Sequence, residues 1–287
     1  MTGESFIRDR HQTGMDKIAL VTGGTSGIGL VTAKELKRQG FHVVITARNV
    51  SKASTDFEVL ECDFSSLDSI RKAAAEYKRR HDKLHVLVNN AGGINPSRQL
   101  SKDGIELTFA VNHLGYFLFT NLLLDVLKAS APARVVSVGS EASRWGTIDF
   151  GDLQAEKRYI ATRQYGSSKL MNIAFALELA ERLRGTGVTS NAVHPGTVAS
   201  NFGAVKGWFG LGFALVKPFL LTPEQGAQTQ IFLASSPEVE GVTGPYFIRK
   251  QQRTPPRLAR NPDVRRRLWE VSEKLTGLYD ALATATG

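Results

Sequence analysis

Ile18-Ala-Leu-Val21, followed directly by Thr22-Gly-Gly-Thr-Ser-Gly-Ile-Gly29, predicts a strand, a tight turn and the start of a helix. Four apolar residues in a row, two of them β-branched, are typical of a strand buried on both faces. The residues from Leu30 to Gln39 then repeat with the period of a helix. Such a turn brings backbone N–H groups at the positive end of a helix within reach of a diphosphate. The stretch therefore favours a dinucleotide-binding turn, with a purely structural glycine turn as the alternative.

Three glycines of this turn have distinct expected roles. Gly23 can adopt the positive φ of a turn, Gly27 lets phosphates approach the backbone, and Gly29 lets the helix pack on its strand. Thr25 and Ser26 add hydroxyl donors. The spacing is G-x-x-x-G-x-G, which differs from the commoner G-x-G-x-x-G fingerprint, so the rest of the chain must support the assignment.

The composition is that of a globular protein: 287 residues, of which 42% are hydrophobic and 22% charged. This length favours one α/β domain of about 250 residues with tails over two domains. Cys62 is the only cysteine, which excludes an internal disulfide, and we predict no metal site. The net charge of +9 favours anionic ligands or surfaces in general.

Much of the positive charge lies near the carboxyl end, where residues 249–267 contain eight Lys and Arg and one Asp. A solvated charged surface and a patch for phosphate or an acidic membrane are the two explanations. Residues 1–16 are polar and lack the apolar core of a signal peptide, so we expect a flexible leader. No stretch reaches the roughly 18 uninterrupted apolar residues of a membrane span. We therefore expect a cytoplasmic protein, either free or peripherally bound to a membrane.

Strand and helix patterns alternate along the chain. Apolar runs predict strands at 41–47, 57–60, 84–88, 134–138, 188–193 and 246–248, and periodicity predicts helices at 65–81, 104–128 and 165–184, with another capped helix from 222. The nine-residue link 48–56 is short for a parallel crossover, so this connection must be abbreviated. The alternation predicts a Rossmann-type doubly wound parallel sheet in one α/β domain over 17–248, followed by a basic extension with a helix over 249–287.

Polar residues lie at the ends of the predicted strands, where open parallel sheets bind ligands. Arg48 ends the second strand, and no Asp or Glu lies between 46 and 49, which favours the 2′-phosphate of NADP over the ribose hydroxyl of NAD. Asn89, Ala91 and Gly92 end the fourth strand, where small residues and amides are placed to contact a ribose. An ordinary polar turn is the alternative.

Tyr165 and Lys169 lie one helical turn apart, and Ser140 follows the fifth predicted strand. Reduction of a carbonyl requires a proton for the oxygen as hydride reaches the carbon, but a tyrosine with the reference pKa of about 10 holds its proton too tightly near neutrality. Lys169 would stabilise the tyrosinate, and Ser140 would donate a hydrogen bond to the substrate oxygen. If the bound dinucleotide exchanges hydride with a carbonyl, this chemistry would make Tyr165 the acid/base.

Together these motifs resemble the short-chain dehydrogenase/reductase family, and most closely its retinol dehydrogenase branch. The motifs that carry the resemblance are Thr22-Gly23-x-x-x-Gly27-x-Gly29, Asn89-Asn-Ala-Gly92, Asn112, Ser140, Tyr165-x-x-x-Lys169, His194-Pro-Gly-Thr-Val198 and Thr222-Pro-Glu-Gln-Gly-Ala-Gln-Thr229. By this resemblance the catalytic residues are Asn112, which would position a water, Ser140, Tyr165 and Lys169, which would also hold the nicotinamide ribose. The cofactor-binding residues that it implies are Gly23, Thr25, Ser26, Gly27, Ile28, Gly29, Arg48, Asp63, Asn89, Ala91, Gly92, Tyr165, Lys169, Pro195, Gly196, Thr197 and Val198.

The resemblance implies NADP(H)-dependent interconversion of a carbonyl and an alcohol on a small lipophilic substrate such as a retinoid-like aldehyde. A steroid or xenobiotic carbonyl, and a non-catalytic lipid-surface binding protein on the same fold, are the alternatives. The apolar residues of about 200–221 predict either a helix of the core or a flap over such a substrate, and an open flap could rest on a membrane. We expect no nucleic-acid partner. A homodimer through helices 104–128 and 165–184 stays open, since their apolar residues could equally be buried within one chain.

Overall fold

One sheet of eight strands is formed within the part of the chain that the structure describes. This computed structural model describes residues 17–52, 54–196 and 221–278. The strands are β1 (Ile18–Val21), β2 (His42–Ala47), β3 (Glu58–Glu61), β4 (Val86–Asn89), β5 (Ala133–Val138), β6 (Val188–His194), β7 (Tyr246–Ile248) and β8 (Gln251–Arg253). Their order is β3-β2-β1-β4-β5-β6-β7-β8, and every neighbouring pair is parallel except β7 with β8. The predicted doubly wound parallel sheet is confirmed, and β8 is a strand that the sequence patterns did not predict.

Helices cover both faces of this sheet. They are α1 (Gly27–Arg38), α2 (Leu67–Arg80), α3 (Leu107–Phe109), α4 (Gly115–Leu122), α5 (Leu124–Ala129), α6 (Ala161–Arg182), α7 (Pro223–Ser235), α8 (Arg257–Arg260) and α9 (Pro262–Thr276). Val21 of β1 belongs to the buried cluster that contains Leu36 of α1 and Leu233 of α7, whereas Leu20 belongs to the cluster with Phe117 of α4 and Phe175 of α6. Successive strand side chains point to opposite faces, so a sheet covered on both sides needs an unbroken apolar run.

Two predicted segments lie outside the described residues. They are the leader, 1–16, and the apolar flap, 200–221, of which the structure describes Leu221 alone.

The segment predicted as one helix over 104–128 is interrupted twice, so that prediction is wrong. The Glu106 carboxylate accepts two backbone N–H hydrogen bonds, which caps α3 three residues into the predicted span. Ala110–Leu114 then form a π-helix, and Leu123 separates α4 from α5. Apolar residues continue through both interruptions, so periodicity alone does not reveal them.

α6 begins at Ala161, four residues before the predicted start at Tyr165. The buried side chain of Gln164 donates hydrogen bonds to the Glu106 carboxylate at 2.7 Å and to the Leu153 carbonyl at 3.1 Å. These contacts hold the first turn in place, and Tyr165 consequently lies inside the helix rather than at its end.

The described part of the carboxyl-terminal extension packs onto the domain. The ring of Trp269 in α9 lies 4.8 Å from the ring of Phe117 and 5.8 Å from that of Phe175, and the Arg182 guanidinium covers it at 4.2 Å. Trp269 is only 5% exposed. α9 thus covers apolar surface of α4 and α6 within this chain.

His113 connects the π-helix to α6 and α9. Its ring nitrogens lie 3.3 Å from Asn172 Oδ1 and 3.0 Å from Ser272 Oγ. Burial lowers the pKa of His113 from 6.5 to about 4, so the unfolded chain binds this proton at a higher pH than the folded chain does. We therefore expect the free energy of unfolding to fall as the pH drops from about 6.5 to about 4. His113→Gln should reduce this slope in urea unfolding, and an unchanged slope would assign the acid sensitivity to other groups.

Candidate active site

The glycine-rich turn after β1 has open space beside Gly27. Gly23 and Gly27 have φ values of 65° and 54°, in the left-handed region that favours glycine. A Cβ at Gly27 would meet nothing within 4 Å. At Gly29, in contrast, a Cβ would lie 2.4 Å from the Gly23 carbonyl oxygen. Gly23 and Gly27 therefore give the turn its shape, and Gly29 lets α1 begin directly against it.

α1 presents its amino end to this space. Ser26 is the N-cap residue, but its side chain makes no capping hydrogen bond, and the first turn contains no acidic residue. The amino ends of α2 and α9 each have both a side-chain cap and an acidic residue. Thr25 and Ser26 are exposed, and Ile28 is half-buried. An uncapped, positive helix end beside open space fits the diphosphate of a nicotinamide dinucleotide.

Thr22 and Asn90 fix this turn to the end of β4. Thr22 Oγ1 accepts hydrogen bonds from the backbone N–H groups of Asn90 at 2.8 Å and Ala91 at 3.0 Å. The Asn90 amide donates in turn to the Thr22 carbonyl oxygen at 2.9 Å. Neither Thr22 nor Asn90 was among the predicted site residues, although both belong to the motifs from which the cofactor site was predicted. A motif shows residue types but not which way each side chain points.

Asn89 points away from the open turn. It is fully buried, and its amide nitrogen donates to Thr120 Oγ1 at 2.8 Å and to Ser137 Oγ at 3.4 Å. These bonds join β4 to α4 and β5. Because neighbouring strand residues alternate in direction, Asn89 faces the protein interior while Asn90 faces the turn.

Gly92 lies against the buried amide of Asn112. A Cβ at Gly92 would come within 2.8 Å of Asn112 Oδ1 and 3.4 Å of Lys169 Nζ. The Asn112 amide accepts from the Gly93 N–H at 2.9 Å and donates to the Gly93 carbonyl at 2.8 Å and to Ser168 Oγ at 2.9 Å. The π-helix therefore places Asn112 between the end of β4 and α6, with its costly buried amide satisfied.

Arg48 and Asp63 lie at the carboxyl ends of β2 and β3. Arg48 is exposed, and the 3₁₀-helix Val50–Lys52 that follows confirms the abbreviated connection to β3. Burial alone would raise the pKa of Asp63, but hydrogen bonds from Ser65 and an ion pair with Lys102 at 3.0 Å hold it below its usual value. The charge of Asp63 is thus already compensated by Lys102, and Arg48 at the end of the neighbouring strand is exposed.

Ser140, Tyr165 and Lys169 converge at the carboxyl end of β5. Ser140 Oγ accepts the Ala142 N–H at 3.2 Å, and the Ser140 and Tyr165 side chains are hydrogen-bonded to each other. Lys169 Nζ donates to the Val138 carbonyl at 3.1 Å and lies 5.8 Å from the centre of the Tyr165 ring. The structure therefore brings the predicted trio together, with Tyr165 and Lys169 on successive turns of α6.

Burial opposes the separate charging of Tyr165 and Lys169. It raises the pKa of Tyr165 to about 12, with the hydrogen bond to Ser140 acting in the opposite direction, and it lowers the pKa of Lys169 to about 7. A tyrosinate or an ammonium alone is disfavoured in this low-dielectric site, whereas the two charges side by side stabilise each other. Such a pair is chemically able to exchange a proton with a group bound beside it.

Tyr116 is a further neighbour of Lys169 that the sequence patterns did not single out. Its ring centre lies 5.5 Å from Lys169 Nζ, and Tyr116 is fully buried. Its hydroxyl has no hydrogen-bond partner among the described residues. The rings of Tyr116 and Tyr165 therefore both flank the buried amine, where an aromatic face favours the charged form.

Pro195 and Gly196 follow β6 and are half-buried, with Gly196 at a φ of 92°. The preceding His194 accepts the Glu141 backbone N–H on Nδ1 at 3.2 Å, which ties this strand end to the segment after Ser140. The two remaining predicted cofactor residues, Thr197 and Val198, lie outside the described residues.

Comparison with known proteins agrees with this geometry. The family model of the short chain dehydrogenases matches residues 17–207. The chain is a short-chain dehydrogenase/reductase. Human retinol dehydrogenase 14 is 41% identical over 295 residues, and mouse retinol dehydrogenase 12 is 42% identical over 274; each match covers 91% of this chain and 87% of the relative. The solved RhlG/NADP active-site complex of Pseudomonas aeruginosa shares 26% identity at a TM-score of 0.64, over 80% of this chain and 93% of that one.

This short-chain dehydrogenase/reductase is therefore an oxidoreductase that interconverts carbonyl and alcohol groups on a small molecule. The predicted family and the likeness to retinol dehydrogenases are confirmed. Among the described residues, no helix is both long and apolar enough to cross a membrane.

Proposed function

We propose that this short-chain dehydrogenase/reductase uses NADP(H) to interconvert a lipophilic carbonyl and its alcohol, with a retinoid-like aldehyde as the first candidate. The observation that carries the proposal is the hydrogen-bonded Ser140–Tyr165 pair with Lys169 on the next helical turn. Tyr165 gives a proton to the substrate oxygen or takes it back, Ser140 donates a hydrogen bond to the same oxygen, and Lys169 stabilises the tyrosinate. The nicotinamide group, when bound, supplies or accepts the hydride.

Two features support a lipophilic substrate. The two relatives described above are retinol dehydrogenases, and retinol is an apolar alcohol. In this chain Trp145 is 74% exposed, only five residues after Ser140, and Ile160, just before α6, is also exposed. Large apolar side chains exposed in segments that adjoin Ser140 and α6 in the sequence are consistent with an apolar ligand.

The substrate class is tested by following NADPH oxidation with three carbonyls: retinaldehyde, a steroid ketone and glyceraldehyde. We expect kcat/KM to be highest for retinaldehyde and lowest for glyceraldehyde, because burial of an apolar chain contributes binding free energy that a small polar molecule lacks. A preference for glyceraldehyde would contradict the lipophilic assignment. NADPH binding without turnover of any carbonyl would favour a non-catalytic binding protein.

Arg48 is expected to determine the cofactor preference. A charge-assisted pair with the 2′-phosphate is worth roughly 1.5–3 kcal/mol, or about ten- to a hundredfold in affinity. Arg48→Ala should therefore weaken NADPH binding by that factor while NADH binding changes little, as measured by titration with both cofactors. Arg79→Ala, which removes a positive charge from the last turn of α2 at the opposite edge of the sheet, is the control. If Arg48→Ala leaves the preference unchanged, another residue recognises the phosphate.

A further inference from the structure

Three side chains of the kind that bind transition metals converge at the amino edge of the sheet. His42 begins β2, Glu58 begins β3, and His81 follows α2. His42 Nε2 lies 2.8 Å from Glu58 Oε2, and His81 Nε2 lies 3.0 Å from each Glu58 carboxylate oxygen. The three ligand atoms all lie within 4.8 Å of one another, and no other group of three such side chains occurs in residues 17–52, 54–196 and 221–278.

We propose that His42, Glu58 and His81 bind a zinc ion, with water as the fourth ligand. Two imidazole nitrogens and one carboxylate oxygen are an established zinc ligand set. Tetrahedral bonds of about 2.0–2.1 Å separate the ligand atoms by about 3.3 Å. The two imidazole-to-carboxylate separations of 2.8 and 3.0 Å are a few tenths of an ångström shorter than this value, so small side-chain adjustments would admit the ion.

The second oxygen of Glu58 already has an outer partner. Arg80 Nη1 lies 3.4 Å from Glu58 Oε1, while Arg80 Nε is held by Glu76 at 2.6 Å. The positive charge of Arg80 is therefore shared with Glu76, and Glu58 Oε2 faces the two imidazoles. A contact from Arg80 to Oε1 would help to orient the carboxylate while Oε2, the oxygen within 3.0 Å of both imidazoles, binds the metal.

The histidines are also restrained by packing. The His81 ring lies 5.0 Å from the Tyr77 ring and 5.4 Å from the His42 ring. The side chain of His81 is 14% exposed and that of Glu58 24%, whereas that of His42 is 44% exposed. Two ligands are thus largely preformed, and the third closes the site from the solvent side.

A zinc ion here would stabilise the terminal strand of the sheet and would take no part in the oxidoreductase reaction. β3 is the terminal strand and pairs with β2 alone, so the ion would tie it to both β2 and α2. The six residues of β2, at about 3.3 Å each, put the ion roughly 20 Å from the Arg48 end of the strand. The candidate active site lies at the carboxyl ends of the strands, on the same side as Arg48.

The test is a calorimetric titration of the untagged full chain with zinc chloride, accompanied by thermal unfolding. We expect one zinc ion per chain, a higher midpoint of unfolding with zinc than without, and no effect of magnesium chloride. Glu58→Gln and His81→Gln should each weaken zinc binding at least tenfold. Glu61→Gln is the matched control, since it removes the same charge from the same strand outside the ligand set and should bind zinc like the natural chain.

If Glu58→Gln or His81→Gln fails to fold, His42→Gln replaces it in the test. His42 is the most exposed of the three ligands, so its variant should fold, and it must show the same loss of zinc affinity. Failure of the folded natural chain to bind zinc would overturn the proposal. So would undiminished binding by all three ligand variants, since the ion would then lie elsewhere. NADPH oxidation measured in parallel should not depend on zinc, so either result leaves the proposed function untouched.

Discussion

Tyr165→Phe is expected to lower kcat by about 10²–10⁴-fold, the range that a positioned general acid/base contributes. The substitution removes the hydroxyl that is hydrogen-bonded to Ser140 and keeps the ring beside Lys169. Volume at the site is nearly conserved, so NADPH should bind with almost unchanged affinity. Single-turnover kinetics and NADPH titration, carried out on the same preparation, separate the chemical step from binding.

Tyr77→Phe is the matched control for this experiment. The Tyr77 hydroxyl is also buried and donates a hydrogen bond to the Lys83 carbonyl at 2.7 Å, but it belongs to α2, away from the carboxyl ends of the strands. We expect this variant to lose some stability and to keep its turnover. Near-normal kcat in Tyr165→Phe would show that another group transfers the proton, whatever the behaviour of Tyr77→Phe.

The parallel sheet and the trio at its strand ends could be predicted because each depends on short-range pattern. Alternation of apolar strands with helical periods predicts a parallel sheet, and the carboxyl ends of parallel strands meet at one edge. Ser140, Tyr165 and Lys169 were therefore predictable as neighbours. Tyr165 and Lys169 also share one helix face, so their proximity follows from spacing alone.

The π-helix and the roles of the asparagines depend on long-range contacts, which the pattern does not contain. Asn112 bonds Gly93 and Ser168, the latter 56 residues away, and these partners hold the wide turn of the helix. Asn89 and Asn90 are adjacent and identical in type, yet they face opposite sides of β4. The choice between them follows from strand register, which the motif leaves open.

The zinc-type cluster and the packing of α9 show the same limit. His42, Glu58 and His81 are each unremarkable as a solvated polar residue in the sequence, and only the pairing of β2 with β3 brings the first two together. In the extension, the many basic residues dominate the composition, so the composition did not indicate the apolar face that includes Leu268 and Trp269. Charge counts over a segment average the two faces of a helix, whereas packing depends on one of them.

Trp269→Ala should lower the free energy of unfolding by about 3–5 kcal/mol, the usual cost of truncating a buried tryptophan. Its ring fills the space between Phe117 and Phe175 and supports the Arg182 guanidinium, so the substitution leaves a cavity and removes a cation–π contact. Urea unfolding at neutral pH measures the change. If α9 were only a solvated basic tail, the same substitution would cost within about 0.5 kcal/mol.

Trp145→Ala is the control for that measurement, because it makes the same truncation at an indole that is 74% exposed. We expect it to change the free energy of unfolding by no more than about 0.5 kcal/mol.

The Trp269 variant also tests what α9 covers. Loosening of α9 would expose the apolar faces of α4 and α6, so sedimentation velocity should show self-association of Trp269→Ala but not of Trp145→Ala. Equal stability losses in the two variants would contradict a core position for Trp269. A large loss without self-association would still place α9 in the core, but it would show that the faces it covers do not bind a second chain.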